Sequence, residues 1–329
     1  MIRVGILSDI HYASAAEQAR GDDYETGALA NPALRLALKG YRRFFWLHQP
    51  LRQNHLLDRF LAGAGDMDYA VANGDYSCDS SSLGMSDEAA RASAKECLGK
   101  LRQRFGARFK AVWGDHELGK VALLGQRGGM RLKSWEMAVQ EVGLEPFWQI
   151  SAGNYRLLGV ISSLVALPVF EPDTVPAERP EWERLRAEHL GRIRAAFDAL
   201  EPGRRVLLFC HDPTALPFLW REPSVRAKLG QIEQTIIGHL HSNLILWKSR
   251  LLSGMPAIRF LGHSAKRFSS ALNEARYWRP FHVRLCPALA GIELLKDGGY
   301  LTADLDPGAV QPARFAFHPI PRTRGDTGG

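Results

Sequence analysis

Ile2-Arg3-Val4-Gly5-Ile6-Leu7-Ser8-Asp9-Ile10-His11 opens the chain with a short apolar run that stops at an acid and an imidazole. Branched apolar residues over such a stretch read as a buried strand. The same pattern recurs four times. Tyr69-Ala70-Val71-Ala72 runs into Asn73-Gly74-Asp75, and Phe109-Lys110-Ala111-Val112-Trp113 into Gly114-Asp115-His116-Glu117. Val206-Leu207-Leu208-Phe209-Cys210 runs into His211-Asp212, and Thr235-Ile236-Ile237 into Gly238-His239-Leu240-His241. Residues i and i+2 leave a strand on one side, so Asp9 with His11, and His239 with His241, are each expected to present two side chains together. Carboxylates and imidazoles converging at the C-terminal ends of buried strands are the ligands a catalytic metal pair requires.

Two divalent cations about 3.5–4 Å apart hold a hydroxide between them and neutralise charge on a phosphoryl oxygen. Such a pair needs a bridging carboxylate, and Asp75, alone at its strand end, is the candidate. Asp9, His11 and one of the two late histidines then complete one metal; Asp115, His211 and the other late histidine complete the second. His116, adjacent to Asp115 on a loop, is left to give a hydrogen bond or proton to the departing oxygen. Glu117 is placed to orient the turn. The mixed imidazole and carboxylate shell suits Mn, with Fe, Zn or Co as alternatives, better than Mg.

Taken in order, these segments resemble the calcineurin-like metallophosphoesterases, whose pattern runs D-x-H, G-D, G-N-H-D/E, H and G-H-x-H. The match covers roughly residues 2 to 250. The resemblance implies an α/β fold, a four-layer α/β/β/α sandwich of two mixed sheets with the site at one edge. It implies that Asp9, His11, Asp75 and His241 bind one metal, that Asp75, Asp115, His211 and His239 bind the other, and that His116 assists the leaving group. Asp115 departs from the pattern, which has Asn there. The carboxylate still ligates, and its charge should tighten metal binding while lowering Lewis acidity, but the amide donor is lost.

Outside the ligands, Lys39-Gly40-Tyr41-Arg42-Arg43-Phe44-Phe45-Trp46-Leu47 mixes bases with large apolar residues. That composition suits a helix at an anionic membrane surface, a lid over acyl chains, or a lid packed on the protein's own core. Here the chain resembles the bacterial UDP-2,3-diacylglucosamine pyrophosphohydrolases, which carry a basic, apolar helical insertion. The resemblance implies hydrolysis of a phosphate ester or anhydride, the substrate being UDP-2,3-diacylglucosamine or another lipid-linked pyrophosphate. A cyclic-nucleotide or other small phosphodiesterase is the alternative, and a scaffold with residual metal binding is the non-enzyme alternative. Arg127, in a Gly-rich loop, together with Asn243, Arg42 and Arg43, are candidate substrate contacts. No capping domain or base-stacking platform marks a nucleic-acid enzyme.

The chain has 329 residues, 46% of them hydrophobic, and a formal charge of +7, which favours anionic partners. With a strand read from Ile2, no signal peptide is expected, and no apolar run is long enough to span a bilayer. Cys78, Cys97, Cys210 and Cys286 show no paired spacing, so reduced thiols in a cytoplasm are expected, with peripheral contact at the inner membrane face if the lipid reading holds.

Residues 1–305 read as one catalytic domain including a helical, lid-like insertion over 32–64, and 306–329 as a Pro- and Gly-rich tail that frays. Within the insertion, Pro32 to His48 and Leu51 to Leu61 read as helices. Helices are also expected at Ser86–Phe105 with Ser86 as cap, at Arg131–Val142 and at Glu181–Leu200. Ala13–Asn31 and Ser162–Pro180 read as loops. Further strands are expected at Tyr155–Ile161, Leu244–Trp247, Ala257–Phe260, Phe281–Leu285 and Gly291–Leu295. His263 imitates a ligand motif but lies outside the pattern.

Overall fold

The apolar runs alternate between two cores. In β6 (Arg205–Cys210), Leu207 and Phe209 belong to one cluster, while Val206, Leu208 and Cys210 belong to another. In β1 (Ile2–Leu7), Val4 and Ile6 face the first cluster and Leu7 the second. A strand packed on both faces has no polar side, which is why these runs read as continuous apolar stretches. The computed structural model describes residues 1–21, 24, 31–47, 49–78, 84–119, 129–254 and 273–321. Arg127, His48, His263 and the expected strand Ala257–Phe260 lie outside them.

The remaining strands are β2 (Tyr69–Ala72), β3 (Phe109–Ala111), β4 (Trp148–Ala152), β5 (Tyr155–Val160), β7 (Ile232–Ile237), β8 (Val283–Leu285), β9 (Gly299–Leu305) and β10 (Arg314–Pro319). They form two five-stranded mixed sheets, ordered β10-β9-β1-β2-β3 and β4-β5-β6-β7-β8. In the first sheet β1, β2 and β3 are parallel, with β9 antiparallel to β1 and β10 antiparallel to β9. In the second, β5 to β8 are parallel and β4 is antiparallel to β5.

The inner cluster joins Val4, Ile6, Val71 and Leu301 of one sheet to Trp148, Leu157, Phe209 and Ile236 of the other. The sheets therefore pack face to face. The outer cluster adds Leu56, Leu57 and Phe60 of helix Asn54–Gly63, Cys97, Leu98 and Leu101 of helix Glu88–Phe105, and Trp182, Ile193 and Phe197 of helix Arg179–Asp198.

Several elements differ from the sequence reading. Leu244–Trp247 lies in a helix, Asn243–Leu251, which Ser242 Oγ starts by accepting from the Leu244 N–H at 3.2 Å. A short apolar run alone does not distinguish a strand from a buried turn of helix. Gly291–Leu295 is a series of turns, with Gly291 at φ +66° and the Ile292 N–H held by Asp297 Oδ1. The frayed tail is replaced, over Arg314–Pro319, by β10 paired along β9. Ser162–Pro180 winds into short helical turns, and Ala15–Arg20 is helical behind a Ser14 cap. Asp87, not Ser86, caps the helix at Glu88.

The insertion divides in two. Helix Asn54–Gly63 is core, whereas helix Pro32–Tyr41 buries no residue and passes into a π turn at Arg42–Trp46.

Candidate metal centre

All five ligand segments meet at one end of the sandwich. Asp9 and His11 lie beyond the end of β1, and His239 and His241 beyond the end of β7, so strand alternation does not pair them as the spacing suggested. Left-handed backbone does it instead. Asp9, His11, Asp75, His239 and His241 all have φ between +49° and +59°, a region that side chains other than Gly enter at a cost. Hydrogen bonds across the strand ends hold the turns. The Asp9 N–H donates to Gly74 O at 3.1 Å, and the Ile10 and His11 N–H groups to Asp75 O at 3.0 and 3.1 Å. Two glycines permit the approach. A Cβ at Gly114 would strike the Asp75 carboxylate, and one at Gly238 would strike Ser8 and Asp9.

The side chains form two groups. Asp9, His11, Asp75 and His241 offer donor atoms all within 4.8 Å of one another, and so do Asp115, His211 and His239. In the first, His241 Nε2 lies 3.1 Å from Asp9 Oδ1 and 3.4 Å from His11 Nε2. In the second, His239 Nδ1 lies 2.7 Å from Asp115 Oδ2. Asp75 stands between them. Its Oδ1 accepts the Asp115 and His116 N–H groups at 2.6 and 3.0 Å, which turns Oδ2 toward His211 Nε2 at 3.2 Å. His116 Nε2 is 3.9 Å from the same oxygen, and its ring meets His11 edge-on with centroids 4.8 Å apart.

Whether these residues fit metal ions is decided by where the imidazole protons sit. His211 Nδ1 lies 2.6 Å from Asn73 O, and His11 Nδ1 3.3 Å from Ser77 O. A carbonyl accepts only, so each Nδ1 carries the hydrogen and each Nε2 turns a lone pair inward. A lone pair facing the Asp75 carboxylate needs a positive charge between them. Without a metal, a proton takes that place: burial opposes a charged His211, yet Asp75 and Asp9 raise its pKa well above the usual value. Burial likewise opposes ionisation of Asp9, but His241 and His211 bring its pKa down to about 2. Burial, with His116 and His241 nearby, pushes His11 down to about 3 and keeps it a neutral donor. The two clusters are consistent with a dinuclear metal site.

No protein-family model and no curated protein matches the chain. Among solved structures it is similar to the phosphopantetheinyl hydrolase of Mycobacterium tuberculosis, at 16% identity and TM-score 0.34 over 72% of this chain and 82% of that one. It is also similar to purple acid phosphatase PPD1 from yellow lupin (Lupinus luteus) seeds, at 10% identity and TM-score 0.37 over 73% of this chain and 38% of that one. Likeness at this level carries no functional argument, so the function rests on the ligand geometry.

The residues that the sequence singled out lie together, but the groups that hold them in place were missed. The Asn73 and Ser77 carbonyls and the Ser8 hydroxyl, which donates to Asp9 Oδ2 at 2.5 Å, carry no motif signature. Glu117 does orient its turn: it accepts the N–H groups of Gly114, Asp75 and Tyr76 at 2.5, 3.2 and 3.0 Å. Burial, then the charge of Asp75, raises its pKa to about 7. Of the candidate substrate contacts, Asn243 is exposed at its helix start, and Arg42 and Arg43 lie on the π turn.

Proposed function

We propose that the chain is a dinuclear-metal-dependent hydrolase of phosphate ester or anhydride bonds. The observation that carries this reading is the convergence of two ligand clusters on Asp75, with His116 beside them. Asp9, His11 and His241 would hold one ion and Asp115, His211 and His239 the other, with Asp75 shared. When bound, such a pair supplies Lewis acidity toward a phosphoryl oxygen and an activated water for in-line attack. The chain's own residues position and exclude. The inward lone pairs of His11 and His211 are fixed by carbonyls, Asp75 Oδ1 is anchored so that only Oδ2 faces the centre, and His116 is placed to protonate the departing oxygen.

For the substrate we propose an acylated or lipid-linked pyrophosphate, such as UDP-2,3-diacylglucosamine, met at an anionic membrane surface. What supports this is the surface around the site. Leu36 and Phe44 are each 72% exposed on the first half of the insertion, Leu294 and Leu295 are exposed on the loop that bonds to its end, and Trp247 and Leu251 are exposed on the helix that follows His241. Arg35, Lys39, Arg42 and Arg43 accompany them, and no acidic residue occurs between positions 26 and 57. Apolar tips among a run of bases suit acyl chains and phosphate groups together. Among the described residues no helix is long and apolar enough to cross a membrane.

The test is hydrolysis of an acylated nucleotide sugar and of bis(p-nitrophenyl) phosphate with Mn²⁺, each repeated in excess chelator. Both activities should vanish with the metal. Leu36→Ser with Phe44→Ser should raise KM for the acylated substrate and leave the soluble diester unchanged. Equal effects on both substrates would favour the small phosphodiesterase, and no hydrolysis of either with two ions bound would favour the scaffold.

A further inference from the structure

Among the imidazoles of the two clusters, His11 and His211 have their rings set in the same way, and His241 differs from them. His11 and His211 are each fixed through Nδ1 by a backbone carbonyl. Among the described residues no such bond holds His241, whose backbone is left-handed at φ +57°. A ligating histidine ordinarily needs an outer partner to set its ring plane. What His241 has instead is Trp46, whose ring lies 4.4 Å away between centroids, at 39°.

The chain goes to some length to put Trp46 there. Arg42–Trp46 forms a π turn, closed where the Leu47 N–H donates to Arg42 O at 3.0 Å. The extra residue in that turn rotates the downstream side chains, a device common at functional sites. Phe44 therefore stays exposed while Trp46 turns inward. Two backbone bonds pin the end of the turn: the Glu293 N–H donates to Trp46 O at 2.8 Å and the Leu294 N–H to Phe45 O at 3.3 Å. The same loop reaches the ligands, with the Ala288 N–H on His241 O at 3.1 Å and the Leu289 N–H on Ser8 O at 3.1 Å.

We propose that Trp46 is a positioning residue for His241, its ring face setting the imidazole so that Nε2 meets Asp9 and His11. The insertion thereby completes one ion site and leaves the other untouched. This rests on the two-metal reading above.

Mn²⁺ titration of the metal-free full chain by calorimetry tests it, with Trp46→Leu to keep apolar bulk without the ring and Trp46→Phe to keep a ring. Wild type should bind two ions. Trp46→Leu should weaken one of them about 10-fold, the low end of the range for outer partners of a ligand. Trp46→Phe should recover most of that loss, and the melting temperature of the metal-free chains should stay together. Two unchanged affinities in Trp46→Leu, or equal weakening of both ions, would overturn the role of Trp46 while leaving the metal reading standing. Equal weakening in Trp46→Leu and Trp46→Phe would also overturn it. A wild-type chain that binds no Mn²⁺ would remove the two-metal reading, and this role with it.

Discussion

The two ligand clusters differ in how closed they are. Asp9, His11, Asp75 and His241 are all buried, with carbonyl, hydroxyl and aromatic partners around them. In the second cluster Asp115 and His211 are buried, but the His239 side chain remains about one-third exposed. On the proposed reading, the exposed flank of His239 is where a substrate oxygen would enter. The carboxylate of Asp115, which departs from the motif, sits on that open side. Its charge therefore belongs to the second cluster, 2.7 Å from His239 Nδ1, and not to the first.

Removing what the two clusters share should have the largest effect. Asp75→Ala deletes the carboxylate between them, so both ions should be lost in metal analysis and turnover should fall to background. Retention of a full complement of either ion would break the idea of a shared bridge.

His116→Ala should lower turnover by roughly 10²–10⁴, the usual worth of a positioned proton donor. Neither cluster includes His116, so the variant should keep both ions. A variant that loses metal while keeping its rate per bound ion would make His116 a ligand.

Asp115→Asn sharpens the contrast between the open and closed clusters. Loss of one charge should weaken the open-side ion by roughly 10-fold while the closed-side ion keeps its affinity. With metal saturating, turnover should equal or exceed that of wild type, because an amide donor returns. An inactive, fully loaded variant would mean that the site has been rebuilt around the carboxylate.

Much of this was legible in the chain, for a physical reason. Ligands are polar residues that interrupt apolar runs at strand ends, and a strand buried on both faces makes that interruption conspicuous in β1, β2, β6 and β7. The left-handed turns at Asp9, Asp75 and His241 were not legible, because hydrogen bonds between segments far apart in sequence set those angles. β4, β9 and β10 were missed for a related reason. Their antiparallel pairing is a matter of partners, and β10 exposes Arg314, Ala316 and Phe317, so its run shows no apolar face. The basic aromatic stretch stands out in the sequence, but only the π turn separates Phe44, facing out, from Trp46, facing His241.

A buried imidazole outside both clusters supplies the smallest effect and a baseline. His189 Nε2 accepts the Ile161 N–H at 3.0 Å, and burial, with Arg192 nearby, brings its pKa down to about 3. Its folded pKa lies below its unfolded value near 6.5. The unfolded chain therefore binds the extra proton first, and stability present above about pH 6.5 is lost as pH falls toward 3. His189→Gln should flatten the metal-free chain's pH dependence by up to about 1.4 kcal/mol per pH unit, read by urea denaturation. An unchanged slope would mean that His189 titrates normally.

That seven side chains hold two ions can be tested directly in a crystal grown with Mn²⁺ and measured at the manganese absorption edge. Two anomalous peaks about 3.5–4 Å apart, one among Asp9, His11 and His241, the other among Asp115, His211 and His239, with Asp75 Oδ2 between, are predicted. A single peak, or none at these residues, would contradict it.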